Sequence, residues 1–252
     1  MRNIRVIARL DIKTNYLVKG IQLEGLRKLG DPSEFSKKYN DAHIDEIIYM
    51  DIVASLYERN SLLPIVEKAS QNIFIPFTVG GGIRSIDNAR NALHSGADKV
   101  AVNTAAIKKP QIISEISRLF GSQCMVASIE AKKIAPQKWE VYYDNGREKT
   151  GIDVLEWAKE AEVRGAGELL LTSVDHEGTA KGMDIDLISN ISDAVKIPVI
   201  ASGGIGNVDH VVEVVENTNV NAIAIAKILH YDQATVYDIK RALQKIKGIE
   251  VR

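Results

Sequence analysis

The sequence predicts an α/β fold, a closed (β/α)8 barrel of the TIM type built of two fused (βα)4 halves. Three observations carry this. Near-continuous apolar runs of strand length alternate with helical patterns from end to end, as in a parallel sheet covered on both faces. Eight such pairs in 252 residues match the dimensions of a closed barrel. And IPFTVGGGIRS at 75–85 returns as IPVIASGGIGN at 197–207, with two glycines in register. The rival is an open doubly wound sheet, but no GxGxxG follows the first strand.

The first strand is IRVIARLD (4–11), followed by an insertion, VKGIQLEGLRKLGDP (18–32), whose closing Asp31–Pro32 opens a helix. EIIYMDI (46–52) precedes the helical NSLLPIVEKAS, and IPFTV (75–79) precedes SIDNARNALHSG, capped by Ser85. KVAVN (99–103) leads into KPQIISEISRLFG. The second half restarts with CMVASIE (124–130) and a second insertion, KKIAPQKWEVYYDNGREKTG (132–151), read as a hairpin turning at Asp144-Asn145-Gly146. Trp139, Tyr142 and Tyr143 in it either cover a substrate or pack the loop, with packing the preferred reading. GIDVLEWAKEAEVRG is the next helix, and ELLLTS (168–173) leads to DIDLISNISDAV behind Asp184. IPVIAS (197–202) with NVDHVVEVVEN and NAIAIA (221–226) with ATVYDIKRALQKIKG complete the set. Each insertion follows the first strand of a half, at the strand ends where barrel sites are built.

Composition narrows the function classes. Hydrophobic residues make up 45% and charged residues 26%, with a formal net charge of -1, so no global field recruits nucleic acid or an anionic membrane. Cys124 is the single cysteine, which forbids an intrachain disulfide and fits a reducing compartment. Charges interrupt the first apolar residues, so the start does not read as a signal peptide, and no run approaches the ~18 apolar residues of a membrane span. A cytoplasmic protein is expected. His94, His210 and His230 lack metal-ligand spacing and read as structural or solvated, so neither metal nor cofactor is expected. His43 has no functional reading.

Alignment of the halves places Glu46 on Glu168, Asp11 on Glu130 and Lys13 on Lys132. Gly80-Gly81-Gly82 and Gly203-Gly204 each follow a strand and precede a helix, where glycine lets backbone N–H groups approach an anion. One such turn alone is equally a tight βα turn with no ligand. Two, accompanied by Asn103-Thr104 and Ala226-Lys227 at neighbouring strand ends, point to a ligand with a phosphate at each end.

LDIK, VKGIQLEGLRKLGDP, DIVAS, TVGGGIRS, GADKVAVNTAA, FGSQC, GAGELLLTSVD and IPVIASGG, taken in order, resemble the cyclase subunit of imidazole glycerol phosphate synthase over essentially the whole chain. The resemblance implies a (β/α)8 barrel that forms a heterodimer with a glutaminase subunit at its N-terminal face. Ammonia would pass through the barrel to a bisphosphorylated ribulosyl aminoimidazole carboxamide nucleotide, giving imidazole glycerol phosphate and an aminoimidazole carboxamide ribotide. It also implies Asp11 and Glu130 as the acid–base pair, with Gly81, Gly82, Asn103, Thr104, Gly178, Gly203, Gly204, Ala226 and Lys227 around the phosphates. Lys19, Thr172, Glu177 and Ser202 join Arg9 at the substrate mouth. Arg5, Glu46, Lys99 and Glu168 match the family's ammonia gate, and Asp98 its docking face.

The departures cluster at the mouth. Glu130 stands where the family has aspartate, and Arg9 where it has a small residue. Gln22-Leu23 replaces Asn-Phe, and DHEGT (175–179) replaces D-R-D-G-T. Arg9 and Asp11, two apart on a strand, point the same way, and Glu130 across the barrel is the partner expected for the Arg9 guanidinium. These departures keep a second reading open: a paralogue that docks a glutaminase and channels ammonia to a separate enzyme amidating surface sugars. A third, the related single-chain sugar-phosphate isomerase of histidine synthesis, fits FGSQC and TSVD less well.

Overall fold

The computed structural model describes residues 1–22, 24–54 and 63–251. In chain order come β1 (Arg2–Lys13), β2 (Tyr16–Ile21), β3 (Glu24–Gly30), α1 (Pro32–Asp41), β4 (Glu46–Asp51) and α2 (Leu63–Ser70). Next are β5 (Phe77–Gly80), α3 (Ile86–His94), β6 (Lys99–Val102), α4 (Thr104–Lys108), α5 (Gln111–Phe120) and β7 (Met125–Ala135). β8 (Lys138–Tyr143), β9 (Glu148–Asp153), α6 (Val154–Val163), β10 (Glu168–Ser173), α7 (Ile185–Ala194) and β11 (Val199–Ser202) follow. α8 (Val208–Asn217), β12 (Ala222–Ile225), α9 (Lys227–His230), α10 (Val236–Leu243) and β13 (Ile249–Val251) end the chain.

Strands β1, β4, β5, β6, β7, β10, β11 and β12 pair in parallel in that order, and β12 returns to β1. The ring is closed, so the predicted barrel stands and the open sheet does not. Asp31, Ser85 and Asp184 cap their helices as expected, accepting from the backbone N–H of Ser33, Asn88 and Leu187. The helical reading of 60–70 is met by α2, its first residues lying outside those described, as does Leu23. The KPQIISEISRLFG pattern is α5, with α4 as a separate short helix before it.

Both insertions are antiparallel extensions of a barrel strand. β1 runs on into β2 and β3, and β7 into β8 and β9. The single hairpin read at 132–151 is corrected to a three-stranded ribbon with two turns. The turn at Asp144-Asn145-Gly146 is the second one; the first lies at Pro136-Gln137, where Gln137 takes a φ of 56°. Trp139 packs, as read: it is buried and its Nε1 donates to Asp184 Oδ2 at 2.9 Å, pinning the ribbon to the start of α7.

A strand alternates its side chains, so each barrel strand sends every second residue inward. These inward residues sort into floors. Arg5, Glu46, Lys99 and Glu168 form the lowest. Ile7, Ile48, Ala101, Val126, Leu170, Ile200, Ala222 and Ala224 form an apolar middle. Arg9, Asp11, Thr172 and Ser202 lie above it. The opposite residues pack outward on the helices in the larger core.

Leu170 is fully buried inside the barrel, whereas Val163, at the end of α6, is 86% exposed. Leu170→Ala is therefore expected to lower unfolding stability by about 2–5 kcal/mol. Val163→Ala should change it by no more than about 0.5 kcal/mol. Urea unfolding of the two variants beside the wild type measures both.

Candidate active site

The upper mouth is built around a buried network of two cations and two carboxylates. Arg9 and Asp11 leave β1 on the same face, and Arg9 Nε donates to Asp11 Oδ1 at 2.9 Å. Lys19, from β2, approaches the other Asp11 oxygen at 3.3 Å and pairs with Glu177 from the loop after β10. All four side chains are at most 5% exposed. Arg9 Nη1 goes to Thr172 Oγ1 at 2.9 Å and Ser202 Oγ at 3.1 Å. The expected Arg9–Glu130 ion pair is not made; it is corrected to Arg9–Asp11. The nearer carboxylate on its own strand, together with two hydroxyls from β10 and β11, takes the guanidinium.

Glu130 turns instead to the second ribbon. Its Oε2 accepts the Gly146 N–H at 2.7 Å, and Tyr142 lies opposite it in the β7–β8 register. A cavity of about 300 Å³ lies beneath that ribbon. Arg9, Gly81, Gly82, Asn103, Thr104 and Glu130 all line it, so the structure brings the first glycine turn together with two of the predicted mouth residues. Gly81 needs its glycine: φ is 86°, and a Cβ there would sit 2.1 Å from the Asp51 carbonyl oxygen. Thr104 Oγ1 meets Asp144 at 3.3 Å, which tethers the ribbon turn above.

On the other side, Gly178 and Lys227 share a more open hollow with Lys19 and Arg27. Gly203 and Gly204 both adopt positive φ, and a Cβ on Gly204 would come within 2.0 Å of the Gly182 carbonyl oxygen. Ala226 caps α9 with its backbone alone.

At the lower rim, Arg5 and Lys99 alternate with Glu46 and Glu168. Arg5 Nη1 lies 2.8 Å from Glu46, Lys99 Nζ lies 3.0 Å from Glu46 and 2.9 Å from Glu168, and Arg5 also pairs with Glu168. Each of the four side chains is paired with both of its opposite-charge neighbours, so the ion pairs form one closed ring.

Burial and charge set the protonation states. Burial opposes the charge on Asp11, but Arg9 and Lys19 outweigh it and hold Asp11 below the usual carboxylate range. Burial likewise opposes the charge on Lys19, yet Glu177 and Asp11 raise it. Glu130 has no such neighbour at bonding distance. Burial lifts it to about 7, against the pull of the Gly146 N–H and Arg9. One mouth thus holds a carboxylate fixed as an anion and a carboxyl that exchanges its proton near neutrality.

Compared with known protein families, residues 5–235 match the histidine biosynthesis protein family. The chain belongs to this family. It is 58% identical over 209 residues to imidazole glycerol phosphate synthase subunit HisF of Legionella pneumophila, covering 83% of this chain and 99% of that protein. It is 48% identical over 248 residues to the subunit of the same name from Bacillus cereus strain Q1, covering 98% of both.

Within this histidine biosynthesis barrel, several contributors escape sequence reasoning. Thr78 donates to Glu46 Oε1 at 2.8 Å and so joins the lower ring; its position two residues before Gly80 on the inward face was the available signal. His230, read only as structural or solvated, lies beneath Arg9: its Nε2 meets the Arg9 carbonyl oxygen at 3.0 Å and its Nδ1 the Tyr39 hydroxyl at 2.6 Å. Burial pushes it down to about 4, so it is neutral and structural at physiological pH. His94 is exposed, and His210 Nδ1 accepts the Gly206 N–H at 3.1 Å. His43 takes a φ of 59°, the region glycine favours. Among the described residues no group of three His, Cys, Asp or Glu side chains is placed to hold a metal, and no helix is long and apolar enough to cross a membrane.

The raised Glu130 value has a thermodynamic consequence. An unfolded glutamate titrates near 4.5 and the folded one near 7, so between those values the folded chain binds more protons and stability falls as pH rises. Glu130→Gln removes this dependence. Relative to wild type, the variant should gain stability from about pH 5 to pH 7 and level off above that, read as the difference in urea midpoints. A difference that stays constant across that range contradicts the assignment.

Proposed function

We propose that this chain is the cyclase subunit of an imidazole glycerol phosphate synthase. It uses ammonia from a glutaminase partner to convert a bisphosphorylated ribulosyl aminoimidazole carboxamide nucleotide into imidazole glycerol phosphate and an aminoimidazole carboxamide ribotide. The observation that carries this is the unlike pair at one mouth: Asp11 held as an anion and Glu130 poised near 7. Addition of ammonia and ring closure require one group that takes a proton and one that gives it. Asp11 is the base and Glu130 the acid. The two HisF relatives, matched over nearly their full length, support the same reading.

The phosphates lie at the two glycine turns. Gly81, Gly82, Asn103 and Thr104 hold one, and Gly178, Gly203, Gly204, Ala226 and Lys227 the other. Backbone N–H groups at positive-φ glycines receive an anion without a side chain in the way. Lys19, Thr172, Glu177 and Ser202 shape the mouth between them. This pairing of turns, with a ribbon after β1 and another after β7, supports descent from a duplicated half-barrel.

Ammonia enters from below. Arg5, Glu46, Lys99 and Glu168 gate the passage, and the apolar middle floor admits a small neutral molecule while excluding ammonium ion. The partner docks on the N-terminal face with Asp98, where Phe74 and Val163 stand exposed at 84% and 86% just before β5 and β10. Exposed apolar side chains suit a protein interface.

Two measurements check this reading. The purified chain should consume the bisphosphate nucleotide with an ammonium salt as the sole nitrogen source, and Asp11→Asn should cut kcat by about 10²-fold or more. No turnover by the wild-type chain overturns the cyclase assignment. Phe74→Asp should weaken glutaminase binding by about tenfold while leaving ammonium-driven turnover intact. Unchanged binding places the partner elsewhere.

A further inference from the structure

We infer that Arg9 is a substrate-contacting residue that donates, through Nη2, to a carbonyl or carboxylate oxygen of a phosphorylated ligand. This rests on the reading of the Gly81–Gly82 turn as a phosphoryl cradle, and it names the second recognition point of that same cavity.

The guanidinium is committed on two of its three nitrogens. Nε donates to Asp11, and Nη1 to both Thr172 and Ser202. Nη2 donates to none of the described residues, although the side chain is only 5% exposed and lines the 300 Å³ cavity. Nη2 is the guanidinium nitrogen left over, and because the side chain lines the cavity it presents a cationic donor to an oxygen that enters there. Asn103 adds an independent sign. Its Oδ1 is buried without a hydrogen-bond partner and its side chain lines the same cavity, so it offers an acceptor for a ligand hydroxyl.

The guanidinium is also held rigidly. His230 Nε2 bonds the Arg9 carbonyl oxygen, Tyr39 fixes His230 from its other nitrogen, and the fork is braced by residues of β1, β10 and β11. A fixed planar fork loses little freedom when it takes a further acceptor. Phosphoryl cradle, hydroxyl acceptor and oxygen donor share one cavity, and together they describe a ligand end bearing a phosphate, a hydroxyl and a carbonyl or carboxylate oxygen. The ketone of a ketose phosphate is such an oxygen, and a phosphorylated hydroxy acid is its stable mimic.

The test compares 3-phosphoglycerate with glycerol 3-phosphate, in which a CH2OH group takes the place of the carboxylate. Titration calorimetry on the intact chain at pH 6.5, below the Glu130 midpoint, should show 3-phosphoglycerate bound at least about tenfold more tightly, the scale of one charge-assisted hydrogen bond. Arg9→Gln should bring the ratio close to one. Arg9→Lys, which keeps the charge but not the fork, should give an intermediate ratio and serves if the glutamine variant does not fold. Equal affinities in the wild type, or a preference that both variants retain, overturn the role of Arg9 alone. Failure of the wild type to bind either compound overturns the phosphoryl cradle and this inference with it.

Discussion

Two cations and two carboxylates, nearly stripped of water, govern the mouth of this barrel. Removing Arg9, Asp11, Lys19 and Glu177 from solvent is tolerable because they neutralise one another at close range. The network also fastens separate pieces of chain together. Lys19 rides on the first ribbon, Glu177 on the loop after β10, and the Gln22 N–H reaches the Glu177 carbonyl oxygen at 2.7 Å beside them. The ribbon therefore lies down across the second-half side of the mouth. Access to Asp11 is set by this closure as much as by the barrel itself.

The floors beneath the mouth divide the work by polarity. A closed parallel ring forces every second side chain into a narrow interior, so the type of residue at one height sets what can pass there. The lower ring is ionic and self-satisfied, the middle is apolar, and the top is ionic again. Such an interior keeps the acidic and basic groups of the mouth apart from whatever meets the lower face. The two carboxyl groups differ for a similarly simple reason. Asp11 is ion-paired to Arg9 and Lys19, whereas at Glu130 burial outweighs the Gly146 N–H, the charge of Arg9 and the Asn103 side chain.

Much of this was legible in the sequence. Strand length, helix caps and the repeated glycine turn gave the closed barrel, because each is a local signal repeated many times. The period of two placed Arg9 and Asp11 on one inward face, while Arg5 was assigned through the family resemblance alone. The partner of Arg9 was not legible, since it depends on how β10 and β11 are staggered against β1, and that stagger is written in no short stretch. The first turn of the second ribbon escaped because Pro136-Gln137 carries no glycine, while the second, with Gly146, was visible. Thr78 looked like an ordinary strand threonine until the ring closed around it. His230 became meaningful only when α9 brought it under the carbonyl of Arg9.

The claim on which the rest depends is that the buried charges act as one unit, and a double-mutant cycle on Lys19 and Glu177 measures it. Lys19→Met and Glu177→Leu should each lower urea-unfolding stability by about 3–5 kcal/mol, because each strands a buried charge. The double variant should be more stable than either single one, giving a coupling of about 3 kcal/mol or more. Single effects that simply add would contradict the account, for they would show two independent side chains where it requires a pair.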